Sequence, residues 1–193
     1  MLKTKAFKLV FVGMLSGISY LLMALNFPLP GLPAFLKIDF SEIPAMLATI
    51  LLGPIAGLAV EAIKNTLHYI IQGSATGVPI DQLANFLSGL FFLLPFAFVF
   101  QKIRSMKGVL FGLAAGTISM SVAMSLLNYY FILPAYTLFL NMPQMSIAEV
   151  KQVIIAGILP FNLIKGTIIA IVFLMIYGRI KEWLQHKFNV QNA

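Results

Sequence analysis

GVLFGLAAGTISMSVAMSLLNYYF, residues 108–131, runs its whole length without an acidic or basic side chain. A helix rises about 1.5 Å per residue, so such a run reaches across the ~30 Å hydrocarbon layer of a bilayer. The rest of the chain has the same character. Of its 193 residues 60% are hydrophobic and 10% charged, against about 25% charged in soluble domains. A soluble chain this apolar could not cover its surface with polar groups, and lipid removes that demand. The chain reads as an all-α integral membrane protein, a single transmembrane domain over residues 1–193, with no length left for a separate soluble domain.

Working outward gives six spans, about 7–26, 42–53, 54–72, 80–101, 108–131 and 152–182. Gly53-Pro54 separates the second from the third, because proline starts a helix readily and interrupts one badly. A Pro/Gly-rich loop, 27–40, follows span one, and a long loop is expected over 132–151, where Pro134 and Pro143 fall. Lys3, Lys5 and Lys8 precede an apolar run in the manner of a signal peptide. That run has the length of a span and no small-x-small cleavage site after it, so it is expected to be retained.

The charges orient these spans. With the N-terminus inside, inner segments hold Lys3, Lys5, Lys8, Lys102, Arg104, Lys107, Arg179, Lys181 and Lys187, with one acid, Glu182. Outer loops hold Lys37 and Lys151 with Asp39, Glu42, Asp81 and Glu149. This is the positive-inside distribution for six spans with both termini cytoplasmic. The net charge of +7 is thus a topology signal and gives no case for nucleic acid.

Several chemistries are excluded. The absence of cysteine rules out disulfides and thiolate catalysis, and two histidines cannot build an imidazole-rich metal site. There is no P-loop, G-x-S-x-G or H-E-x-x-H, so ATP hydrolysis and the common hydrolase centres are not expected here. No catalytic residues, metal or cofactor are assigned. No inverted repeat is visible, which argues against a self-sufficient secondary transporter.

Charged residues inside spans are costly, about 2.5–3.5 kcal/mol each at a helix centre, and call for a partner or a function. Glu61 and Lys64 are three apart on one helix face that Asn65 and His68 extend. They form either an internal ion pair or the polar wall of a cavity. Asn162 and Lys165 share a face in FNLIKG, with no acid within a turn of Lys165. That lysine needs an acid from another helix, Glu61 being one choice, or an acceptor-rich ligand. Asn128 and Asn85 are lone amides near the outer ends, and Asp81 lies one turn from Asn85. FLKIDFSEIPAML, residues 35–47, places Lys37, Asp39, Phe40 and Glu42 in a loop that either folds over a pocket or lies among headgroups. Gly13 and Gly17, and Gly112 and Gly116, are four-apart pairs that permit close helix approach, within the chain or against another subunit.

FLKIDFSEIPAML, GPIAGLAVEAIKNTLHYIIQGS, DQLANFLSG, LLNYYFILPAY and PFNLIKG occur in an order and spacing that resembles the riboflavin-specific S-components of bacterial energy-coupling-factor (ECF) vitamin transporters. The resemblance covers essentially the whole chain. It implies a multi-pass protein of the bacterial cell membrane with a high-affinity riboflavin pocket open to the outside. It places the flavin near Asn128, Asn162 and Lys165, with backbone from 37–47 and residues around Val78–Asn85. It implies docking of span one on an energy-coupling transmembrane subunit, with two ATPase subunits supplying the energy. Gly13 and Gly17 match the docking seam, with glycine where alanine is commoner. The flavin edge, two carbonyls and an N–H, suits Asn162 and Lys165. The ribityl hydroxyls suit Asn128, Asp81, Asn85 or loop backbone near Asp39, and Phe35, Phe40 and Tyr136 suit the ring faces. No arginine lies in the outer half to receive the phosphate of FMN, so riboflavin is the expected ligand. Two alternatives stand beside this: an S-component for another vitamin, and an assembly subunit without ligand, which predicts a filled core and an internally paired Lys165.

Overall fold

A computed structural model describes residues 4–33, 35–141 and 143–188. Among the described residues eight α-helices carry the fold: α1 (Lys5–Ala24), α2 (Glu42–Leu52), α3 (Pro54–Gln72), α4 (Ile80–Lys102), α5 (Met106–Leu127), α6 (Leu133–Phe139), α7 (Ile147–Val153) and α8 (Leu159–Phe188). The turn between α2 and α3 is one residue, Gly53, at φ 100°, with Pro54 opening α3. That positive φ suits glycine, and the proline costs no hydrogen bond at a first turn.

Among the described residues, four segments are long and apolar enough to cross a membrane: Lys5–Ala24, Ile80–Lys102, Met106–Phe139 and Ile147–Lys181. α2 is apolar but short, at 11 residues, and α3 carries the polar face of Glu61, Lys64 and Asn65. Leu9 (73% exposed), Ile118 (60%) and Ile155 (68%) lie on outer faces, where lipid rather than water is the natural solvent.

The structure departs from the expected loop at 132–151. α5 continues through a π-helical turn, Asn128–Ile132, into α6, and α7 continues through a second, Ile154–Ile158, into α8. Pro134 therefore does not end the helix; it sits in the first turn of α6, where a missing N–H is tolerated. Among the described residues the non-helical stretch shrinks to 140–141 and 143–146.

The core is aromatic. Phe96 meets Phe173 edge-on at 5.9 Å, and Phe173 stacks on Tyr177 at 5.8 Å. α5 lies directly against the α4 backbone: a methyl group on Gly116 would stand 2.5 Å from the Phe92 carbonyl oxygen. Gly112 and Gly116 thus serve packing within the chain. A second apolar cluster, Leu36, Ile38, Leu133, Ile158 and Phe161, holds down the loop between α1 and α2. That loop is closed by a short antiparallel ladder, Phe27–Pro28 with Lys37–Ile38. Ile38 is wholly buried, worth about 1.5–3 kcal/mol, and its anchoring fixes where Asp39 falls.

Candidate binding cavity and its buried charge cluster

The loop residue Asp39, together with α3, α4, the α5–α6 segment and α8, encloses a cavity of about 480 Å³, within the ~300–1,000 Å³ range of small-molecule sites. Asn128, Asn162, Lys165 and Asp39 line it, as do Asp81, Asn85 and Tyr136. Phe40 does not: it packs, partly buried, against the main core. It follows Asp39 directly, and turning that carboxylate inward sends the next side chain elsewhere. Phe35 and Tyr136 stand with ring centroids 6.1 Å apart at the cavity wall.

Two of the cavity asparagines, Asn128 and Asn162, are prepared in the same way. Asn128 opens the first π-helical turn and donates from Nδ2 to the Met124 carbonyl at 2.8 Å. Asn162 follows the second and donates to the Ile158 carbonyl at 2.8 Å. Each is the same side-chain bond to the carbonyl four residues back that Asn65 makes to Glu61 within α3, a local contact open to asparagine in any helix. One amide N–H of each asparagine is spent on the backbone, and Oδ1 and a second N–H remain for a ligand.

Lys165 is not a free cation. Its Nζ lies 3.2 Å from Asp39 Oδ2 and 3.0 Å from Glu42 Oε1. Lys64 lies 2.9 Å from Glu61 and 3.8 Å from the same Glu42 oxygen. The pairing of Lys165 with Glu61 admitted by the sequence is replaced, because α2 brings Glu42 between the two lysines and Glu61 keeps its own-helix partner. Five ionisable side chains, three acids and two lysines, are buried together. Such a cluster is tolerated only when each charge finds its complement. Gly89 on α4 makes the room: a methyl group there would sit 2.3 Å from Glu61 Oε2.

Ser41 ties this cluster together. Its Oγ donates to Asp39 and accepts from Lys64 at 2.5 Å, and its backbone N–H donates to Asp39 at 2.9 Å. Its carbonyl accepts from Ser19 of α1 at 2.5 Å. Burial pushes the Asp39 carboxyl upward, but Lys165, Lys64 and the two Ser41 donors overcome it and hold it below the usual carboxylate range. Two of the three N–H donors of Lys165 point at acids, leaving one for whatever enters the cavity.

At the α3–α4 end, Tyr136 donates to Asp81, and Ser74 reaches the same carboxylate at 3.4 Å. Lys37, His68 and Gln72 also line the wall. His68 lay on the polar face that the sequence marked, without a role of its own; its setting depends on Gln82, a residue on another helix.

Gly13 and Gly17 lie away from all of this. A methyl group on either would meet nothing within 4 Å, and Gly13 is exposed beside Leu9, Val10 and Met14. α1 thus carries a smooth outward strip on the side opposite its buried Leu15, Ser16 and Ser19.

Residues 7–177 match the family described as ECF transporter, substrate-specific component. The chain belongs to this family. It is 55% identical over 183 residues to the riboflavin transporter FmnP of Bacillus subtilis (strain 168), covering 95% of this chain and 96% of that protein. It is 40% identical over 178 residues to the riboflavin transporter RibU of Staphylococcus aureus (strain TCH60), covering 92% of each. A solved structure, reported as the structure and mechanism of the S component of a bacterial ECF transporter, matches with a TM-score of 0.80 at 38% identity, covering 94% of this chain and 99% of that one. This substrate-specific component is therefore the capturing part of a transporter, and its cavity is the place to look for the substrate.

Proposed function

We propose that this S-component captures riboflavin from outside the cell and delivers it inward together with an energy-coupling transmembrane subunit and two ATPase subunits. The observation that carries the reading is the cavity: apolar walls, with the polar atoms of Lys165, Asn162 and Asn128 gathered on it. Isoalloxazine needs that combination, a flat apolar body with one edge of two carbonyls and an N–H. The names of the Bacillus and Staphylococcus relatives support the same ligand. The paired state of Lys165 agrees with one feature of a ligand-free assembly subunit, but the open cavity opposes that reading, since such a subunit has no reason to keep its core unfilled.

The topology goes with this reading. α2 and α3, joined at Gly53, complete six crossings, with both termini on the cytoplasmic side of the bacterial cell membrane, as the basic inner segments favour. The cavity then faces outward, and the bare strip around Gly13 and Gly17 serves as the docking seam for the coupling subunit.

The test is an absorption spectrum of detergent-purified protein followed by fluorescence titration with riboflavin. A co-purified flavin band, or saturable quenching, is the expected result. A colourless protein that leaves riboflavin fluorescence unchanged removes the assignment.

A further inference from the structure

Gln82 decides the chemistry of His68. The Gln82 Nε2 atom lies 2.9 Å from the Gly73 carbonyl oxygen and 3.0 Å from His68 Nδ1. A carbonyl oxygen only accepts, so the atom facing it is the amide nitrogen and not the amide oxygen. Its first N–H is directed at Gly73, and its second points at the imidazole. Nδ1 must then accept, and in a neutral ring the proton sits on Nε2. Gln82 is itself 3% exposed, so its amide is held in place by the protein around it. A proton added at Nδ1 would set two donors face to face.

The result is an imidazole with a fixed direction. His68 lines the cavity. Among the described residues its Nε2 has no hydrogen-bonding partner. His68 stands one helical turn, about 5.4 Å, beyond Lys64 on the same face of α3. Lys64 marks the level of the charge cluster, where Lys165 meets Asp39 and Glu42. His68 is therefore a turn further toward the 73–79 loop, on the side where Asp81 opens α4.

We infer that His68, locked by Gln82 as an Nε2–H donor, is a specificity-determining contact for the polyol chain of the ligand, with Gln82 as its positioning residue. The inference rests on the riboflavin reading above. With the ring edge at Lys165 and Asn162, the hydroxylated chain runs toward the α3–α4 end. There a one-sided donor complements the acceptor Asp81, so that successive hydroxyls meet one donor and one acceptor.

The chain has two histidines, His68 and His186, and a His186→Asn background leaves one. Nitrogen-15 spectra of histidine-labelled protein in detergent report the tautomer directly, before any ligand is added. The expected spectrum is that of the Nε2–H form, with the Nε2 signal moving on saturation with riboflavin. His68→Phe is expected to weaken riboflavin about tenfold, as loss of one hydrogen bond does. Lumiflavin, which has the ring but no polyol, is expected to bind the variant as it binds the parent. Gln82→Leu should mix the tautomers and weaken riboflavin by a smaller factor. An Nδ1–H spectrum, an Nε2 signal unmoved by bound riboflavin, or an equal loss for lumiflavin overturns the inference while leaving riboflavin capture intact. Failure of the parent protein to bind riboflavin at all removes both.

Discussion

Lys165 and Glu42 meet at 3.0 Å with both side chains shut off from solvent, on helices α8 and α2. The same Glu42 oxygen lies 3.8 Å from Lys64, so one carboxylate sits between two lysines. The cavity's buried cation, Lys165, is thus compensated before any ligand arrives, and its role in binding and its role in folding can be separated by experiment.

Lys165→Met is expected to weaken riboflavin by about 1–3 kcal/mol, through loss of a charged donor to the ring. It should also lower stability by about 3–5 kcal/mol, because Glu42 is left buried without its nearest cation. Adding Glu42→Gln should recover much of the stability and none of the binding. Thermal unfolding in detergent and fluorescence titration read the two effects apart. A double variant that regains full affinity would take Lys165 out of the ligand site.

The glycines divide into two kinds. Gly116→Ala drives a methyl group to 2.5 Å from the Phe92 carbonyl, and should cost about 1–3 kcal/mol of stability, since backbone must move. At Gly13 and Gly17 an added Cβ meets nothing within 4 Å, so Gly13→Leu with Gly17→Leu is expected to fit without displacing the chain. That pair should leave the melting temperature and riboflavin affinity unchanged and abolish uptake in cells. Surviving uptake would place the docking seam elsewhere.

Asp39 gives a pH signature. Its folded-state pKa is lowered below the ordinary 3.8. The stabilisation it contributes is therefore complete above about pH 4 to 5 and is lost as the pH falls through the lowered folded value. Asp39→Asn should reduce the melting temperature at neutral pH, and the gap to the parent should narrow on acidification below pH 4. A gap that stays constant down to pH 3 would show that the carboxylate charge is not what stabilises the loop.

Discrimination against phosphate follows from the cavity wall. Asp81 lines the α3–α4 end, where Lys37 is one exposed cation and no arginine is among the described lining residues, and the Lys165 ammonium is already shared between two acids. FMN should bind at least about tenfold more weakly than riboflavin, a difference of ~1.4 kcal/mol. Competitive titration measures it, and equal affinities would show that the chain's end is free of the wall.

Much of this was readable beforehand where the signal was local. Asn162 and Lys165 are three apart in one helix, and that spacing alone puts them on one face and so on one cavity wall. Gly53-Pro54 marked its turn through backbone preference. The partners of Lys165 were not readable: Asp39 is 126 positions away and is placed by the anchoring of Ile38, and the seating of α2 against α8 brings in Glu42 where Glu61 was the choice. The helix through Pro134 was missed because a π turn has no residue signature and resets the register just ahead of the proline. Phe40 looked like a ring-stacking residue by its neighbours, yet the inward turn of Asp39 decided its direction. His68 needed Gln82, and a tautomer is not written in either residue alone.

The separation of Asp39 from Lys165 also bears on how the protein is made. At roughly 5–20 residues per second, the acids at 39 and 42 leave the ribosome many seconds before Lys165 does. From the synthesis of residue 64 until that of residue 165, Lys64 is the one lysine of the cluster present, and it must serve three carboxylates. Arrival of α8 supplies the missing cation. α8 thus brings the second cation of the cluster to the loop after α1, and a nascent chain halted before residue 165 holds three carboxylates against one lysine.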